Sequence, residues 1–315
     1  MHAATLVIDS HAHIAWRPLY DPRFLRGLVR PLLSGLERSA GTGARERAER
    51  LVDGFFSDRW GDRLVEQMDR AGIARTVLLM IPILNTGQRE GMTAEEVYAH
   101  HRAVQQRHPH RLLVFAGVDP RGGENDLQLF TKAVRDWGFR GMKLYPPLGY
   151  AADCGSLDGY YELCRDNGLA VVVHTGPSLP EMQNSLADVG RVAAAARRWP
   201  EINFILAHAG YLLESDAVAL AHACPNVYLD MSAFQSRYAR ADARAARELG
   251  RVFGDPLCDK VLFGTDWPLF NLLTGPARNL QLVRDVFRLT PLGGDESRLE
   301  RVLAGNARRL LGLGD

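Results

Sequence analysis

The sequence is poor in cysteine: four in 315 residues, with no CxxC pair. Cys154, Cys164, Cys224 and Cys258 are scattered through expected loops and helices. They do not read as a disulfide framework, and a reducing cytoplasm is the expected location. Net charge is nearly absent, at +1, so no global field draws the chain to nucleic acid or an anionic membrane. No uninterrupted apolar run is long enough to span a bilayer. No basic stretch followed by an apolar one opens the sequence, so a secretory leader is not expected. There is no GxxxxGK[ST] phrase, which removes support for a phosphate-binding loop. Internal repeats and low-complexity tracts are also missing. What remains is the composition of a soluble globular protein, 46% hydrophobic and 24% charged. The length fits two average domains or one large barrel, with enough surface to bury a core.

Short apolar strands alternate with amphipathic helices along the chain. Strands are expected over 5–9, 74–81, 112–117, 141–145, 169–174, 203–208, 227–230 and 261–264. Their β-branched runs lack clean polar alternation, as in parallel strands covered on their outer face. Helical spacing of apolar residues marks 62–71, 94–107, 127–137, 157–167, 186–199, 214–224, 241–253 and 276–287, with a terminal helix over 299–311. Gly72, Gly138 and Gly168 stand where C-caps belong. Eight such units predict a (β/α)₈ TIM barrel, a single domain over 1–315. The rival, a doubly wound open sheet, rarely needs eight. A long excursion after strand one, 15–60, breaks the rhythm. Insertions there usually cover the active-site face, so a cap or subunit contact is expected, with a partly disordered surface loop as the plain alternative.

The first chemical signal is Asp9-Ser-His11-Ala-His13. Residues two apart on a strand share a face, so both imidazoles can reach one divalent ion. Alone, the pattern is better read as two exposed loop histidines. But His174 ends the fifth expected strand, His208 the sixth, and Asp266 follows the eighth in Phe263-Gly-Thr-Asp-Trp-Pro268. In a barrel all strand ends open on one rim, where catalytic residues collect. Four histidines and an aspartate far apart in sequence should therefore converge. The plain alternative for Asp266 is a helix N-cap, which does not explain its place after strand eight.

This set resembles the amidohydrolase superfamily. Gly138-Phe-Arg-Gly-Met-Lys-Leu-Tyr-Pro146, His208-Ala-Gly210 and Gly305-Asn-Ala-Arg-Arg-Leu-Leu-Gly312 are similar to its amidohydrolase 2 branch, from Val7 to Gly312. That branch holds mononuclear metal hydrolases and decarboxylases of aromatic carboxylic acids. The resemblance implies that His11, His13, His174 and Asp266 ligate one divalent metal, zinc in preference to manganese. It implies that Asp266 also serves as general base, and that His208 lies beside the metal to polarise a carbonyl or transfer protons. Lys143, on the fourth strand, is where binuclear relatives carry a carboxylated lysine. A substrate carboxylate, a nearby acid or a structural salt bridge are its other partners. Asp9 is expected to orient a histidine. A homodimer or larger homo-oligomer is also implied.

Tyr145, with the Pro-Pro-Leu-Gly-Tyr150 that follows it, should line the pocket. Trp16, Trp267 and Phe270 could pack on a flat or apolar substrate, or simply on the protein. Arg17 and Arg237 are candidate carboxylate binders, with surface solvation the plainer reading. His100 and His101 are expected to face solvent, and His2, His108, His110 and His222 lack ligand-like context. The expected function is metal-dependent hydrolysis of an amide, lactone or ester of a small molecule. The alternative is non-oxidative decarboxylation of an aromatic or enolisable carboxylic acid. The branch's decarboxylases often replace the first histidine of HxH, so the intact His11-x-His13 leans toward hydrolysis. A non-catalytic scaffold would show a broken ligand set, which this is not.

Overall fold

The computed structural model describes residues 6–27, 43–82, 92–212, 215–269 and 275–313. Eight parallel strands form one sheet in chain order. They are β1 (Val7–Ala12), β2 (Ile73–Leu79), β3 (Leu112–Val118), β4 (Gly141–Leu144), β5 (Ala170–His174), β6 (Phe204–Ala207), β7 (Val227–Asp230) and β8 (Val261–Leu262). The barrel closes where the chain beyond β8 returns to β1. Ser10 N–H donates to Phe263 O at 2.8 Å, Asp266 N–H to His11 O at 2.8 Å and His13 N–H to Trp267 O at 2.7 Å. The expected (β/α)₈ barrel is thus the observed fold.

Helices cover the outside: α1 (Ala44–Phe55), α2 (Asp62–Ala71), α3 (Ala94–Arg107), α4 (Gly123–Arg135), α5 (Asp158–Asp166), α6 (Val189–Arg198), α7 (Ser215–Ala223), α8 (Ala243–Phe253) and α9 (Pro276–Leu289). Local chemistry sets their ends. Thr93 and Glu96 form a capping box at the start of α3, and Asp242 caps α8 through the N–H groups of Arg244 and Ala245. Gly72, in the left-handed region at φ 69°, ends α2. Among the described residues no helix is long and apolar enough to cross a membrane.

Strand alternation splits the core in two. Leu78, Val114, Met142 and Val171 point outward into the helix layer. Ile8, Val77, Phe115, Val172, Ile205 and Leu262 point inward. A Cβ on Gly141 would lie 2.3 Å from the Phe115 ring, so glycine is what lets that ring fill the barrel. The foot is sealed by Ala304, Ala307 and Leu310 of the terminal segment, where Glu296–Glu300, a π-turn over Arg301–Gly305 and Asn306–Leu310 run on from one another. Period two then carries the inward face upward: from Gly141 to Lys143, from Val172 to His174, from Tyr228 to Asp230. The polar residues therefore sit at the open, C-terminal rim.

The described parts of the 15–60 excursion are a short turn at Arg17–Leu19, a helical stretch over 22–27, α1 and an antiparallel bridge between Trp16 and Ser57. Residues 28–42 of it lie outside the described residues. His100 and His101 correct an expectation, for both are buried. His100 packs between the rings of Trp16 and Trp60 and meets Arg59 O at 2.8 Å; His101 Nδ1 meets Val97 O at 2.8 Å. Both lie on α3 residues turned to the excursion and the barrel, a side that the weak amphipathic pattern of this helix did not reveal.

Candidate active site

The rim gathers all five residues expected to converge. The rings of His11 and His13 lie 5.1 Å apart, those of His11 and His208 4.9 Å, and those of His174 and His208 5.0 Å. Asp266 Oδ1 stands 3.3 Å from His13 Nε2 and 3.5 Å from His11 Nε2. His11, His208 and Asp266 each offer one ligand atom, all within 4.8 Å of one another, a set that could hold a metal ion.

Backbone geometry aims these groups. Asp266 has φ 53° and His208 φ 60°, and the left-handed run continues through Ala209, Gly210 and Tyr211. Such conformations in non-glycine residues are costly and concentrate at functional sites. Thr175 steadies the run: its hydroxyl donates to Ala207 O at 2.6 Å and accepts from Gly210 N–H at 3.0 Å. Asp9 steadies Asp266. It accepts from Thr265 N–H at 2.9 Å, Thr265 Oγ1 at 2.6 Å and His11 N–H at 3.1 Å. Asp9 therefore ties β1 to the turn beyond β8, whereas the expectation gave it a histidine ring. That ring belongs to Asp230, whose Oδ2 lies 2.5 Å from His11 Nδ1. Asp230 and its neighbour Ser232 escaped the sequence reading. Asp230 ends β7 as His174 ends β5, so the strand-end signal was there to find.

Two further Nδ1 atoms are also engaged. His13 Nδ1 meets Leu79 O at 2.7 Å and His208 Nδ1 meets Ser232 Oγ at 2.9 Å. A carbonyl only accepts, so His13 carries its hydrogen on Nδ1. Burial pushes the His208 ring down to about 4, drives His174 well below its ordinary value, and lowers His11 against the pull of Asp230. Burial opposes ionisation of Asp266 and Asp230, but the neighbouring histidines outweigh it and hold both below the usual carboxylate range. His11 and His13 thus turn their Nε2 atoms toward a carboxylate oxygen of Asp266. Neither Asp266 Oδ1 nor His174 Nε2 has a hydrogen-bond partner among the described residues. Ring nitrogens and a carboxylate oxygen gathered in one buried space, two of them without a hydrogen-bond partner, fit a bound cation.

A cavity of about 430 Å³ opens above this cluster. Lys143 and Tyr145 line it with the histidines and Asp266, and Phe24, Ile81, Leu179 and Leu269 supply apolar wall. Lys143 is 1% exposed, and burial lowers its amine to about 8 against the attraction of Asp230 and Asp266. Tyr145 stacks on His174 with ring centres 4.4 Å apart and bonds Ser178 Oγ at 2.6 Å. Trp267 is not brought to the cavity: its buried ring packs 5.9 Å from that of Phe55. Trp16 packs on His100, and Phe270 lies outside the described residues. Arg17 pairs with Asp53 at the surface and Arg237 with Glu248.

The profile of the family described as Amidohydrolase matches residues 8–313. A search of curated proteins returned no match. Solved structures share the fold. A 5-carboxyvanillate decarboxylase from Sphingomonas paucimobilis is 15% identical, with a TM-score of 0.64 over 99% of this chain and 100% of that one. An amidohydrolase from Burkholderia multivorans with bound zinc is 18% identical, with a TM-score of 0.63 over 98% and 100%. A probable 2-pyrone-4,6-dicarboxylic acid hydrolase from Acinetobacter baumannii is 14% identical, with a TM-score of 0.62 over 98% and 99%.

Proposed function

Since this chain belongs to the amidohydrolase family, we propose that it is a metal-dependent hydrolase of an amide, lactone or ester bond in a small molecule. The observation that carries this is the meeting of the His11 and His13 Nε2 atoms with Asp266 Oδ1, an oxygen that has no hydrogen-bond partner among the described residues. His11, His13, His174 and Asp266 would hold one divalent metal, zinc in preference to manganese. Such an ion, when bound, lowers the pKa of water and polarises a carbonyl.

The chain's own groups do the rest. Asp266, which lines the cavity, takes the proton of the attacking water at Oδ1. His208 faces the same space, and its Nε2 relays that proton from Asp266 to the leaving group. Lys143 binds an anionic group of the substrate, and Tyr145 with the apolar wall packs against the substrate body and keeps bulk water out. Phe24 on the cavity wall supports reading 15–60 as a cap on a single barrel domain.

Decarboxylation is the second reading. Lys143 is the one lysine or arginine among the described lining residues, set against apolar wall, which suits an apolar carboxylic acid. Metal-loaded protein incubated with lactone, amide and aromatic-acid panels in heavy-oxygen, deuterated water separates the two. Hydrolysis places solvent oxygen in a product carboxyl group. Decarboxylation releases carbon dioxide and places a solvent deuteron on carbon. Turnover equal in metal-loaded and metal-stripped protein would overturn both.

A further inference from the structure

Ser232 lies two residues past β7, fully buried, and three groups surround its hydroxyl. Oγ is 2.8 Å from Asp230 Oδ2, 2.9 Å from His208 Nδ1 and 3.0 Å from His11 Nδ1. A hydroxyl brings one hydrogen, and an ionised carboxylate brings none. Asp230 Oδ1 also accepts the Ser232 N–H at 2.7 Å, so carboxylate and hydroxyl are joined in one tight turn. The Ser232 hydrogen is drawn to Asp230 Oδ2, which leaves only lone pairs facing the two rings. His208 must then supply the hydrogen of its own contact.

We infer that Ser232, oriented by Asp230, is a positioning residue that locks His208 as the Nδ1–H tautomer and thereby turns a bare Nε2 toward the cavity. A free histidine side chain favours the opposite form, with hydrogen on Nε2, so the ring would not adopt this state unaided. Which nitrogen carries the hydrogen is set by the partner of the other. His11 is held in the same way by Asp230 directly, so one carboxylate–hydroxyl pair fixes two rings. Space for the pair comes from Gly264, where a Cβ would stand 2.5 Å from Asp230 Oδ1 and 3.0 Å from Ser232 Cβ.

The importance of the lock rests on the reading that His208 serves this cavity, and the test keeps the two apart. Metal-free protein carrying nitrogen-labelled histidine is examined by NMR, with the His208 signals assigned by their loss in His208→Gln. The wild-type ring is expected to carry hydrogen on Nδ1 and none on Nε2. In Ser232→Ala the hydrogen moves to Nε2, and in Ser232→Thr it stays on Nδ1. A wild-type ring with hydrogen on Nε2, or an unchanged ring in Ser232→Ala, overturns the inference, and the wild-type spectrum decides alone if a variant does not fold. Tautomer exchange in Ser232→Ala with turnover and metal content untouched upholds the lock and removes His208 from the proposed reaction.

Discussion

Replacing Asp266 by asparagine should weaken the metal-free protein and disable the metal-loaded one. Asp266 Oδ1 is buried, stands 3.3 Å from His13 Nε2 and 3.5 Å from His11 Nε2, and has no hydrogen-bond partner among the described residues. Burial alone would raise this carboxyl, yet the neighbouring histidines hold it below the usual carboxylate range, so the folded site favours the charge that asparagine removes. The attraction between Asp266 and Lys143 works in the same direction. Losing a charge-assisted contact costs about 1.5–3 kcal/mol. Metal-free Asp266→Asn should therefore melt lower than metal-free wild type by about 3–6 °C, at about 2 °C per kcal/mol for a chain of this size. Metal widens the gap. Wild type gains about 4 kcal/mol when free metal exceeds its dissociation constant a thousandfold, and the variant forfeits most of this with the anionic ligand. Turnover should fall by about 10²–10⁴, the usual contribution of a general base. Calorimetry with chelator and with zinc reads both states. A metal-free variant that melts at or above metal-free wild type would refute the picture of a carboxylate held in its charged form by the histidines around it.

Three further outcomes can be checked. His208→Ala should keep its metal, by plasma mass spectrometry, while losing turnover; metal lost with the ring would make His208 a ligand, as its place within 4.8 Å of His11 and Asp266 allows. Lys143→Met removes a buried amine that has no hydrogen bond to the described residues, so thermal stability should hold or rise while KM for an anionic substrate increases tenfold or more, roughly the loss of one charge-assisted contact; an unchanged KM would free Lys143 from substrate binding. Metal-free protein should lose stability as pH falls below 6.5, because burial holds His101 at about 3 and His208 at about 4 when folded while both take protons near 6.5 when unfolded. Each group then contributes a slope of about 1.4 kcal/mol per pH unit between those limits, with stability complete above 6.5; denaturant midpoints that stay level from pH 7 to pH 5 would contradict this.

The barrel was legible because its signals are local and repeated. Val171-Val-Val173 and Leu78-Leu79 can only be buried strands between amphipathic helices, and the strand ends then place His174 and Asp266 without further information. Exact ends were less so: β1 runs to Ala12, which the polar Asp-Ser-His sequence disguised, and β8 is only Val261–Leu262 because the chain leaves the ladder to aim Asp266. What stayed hidden depends on contacts between distant strands. Asp230 and Ser232 acquire meaning only beside His11, more than two hundred residues away, and Trp267 follows Asp266 in sequence yet turns to Phe55 across the fold. His100 and His101 were misread for the same reason: a helix faces what packs on it, and here Trp16 and Trp60 arrive from another part of the chain.

The seam between β8 and β1 is held by Ser10, His11, His13, Thr265 and Asp266, through backbone bonds and the grip of Asp9 on Thr265. A cooper would call this the last stave, and here the stave and the contents share the same wood. Whatever binds the histidines and Asp266 also pins the joint that keeps the cylinder round, and whatever springs the joint scatters the histidines. Loss of function on heating should thus begin at the seam before the rest of the wall gives way, with the Asp266 and His13 amides among the first to exchange with solvent and the first to be quieted by an occupant.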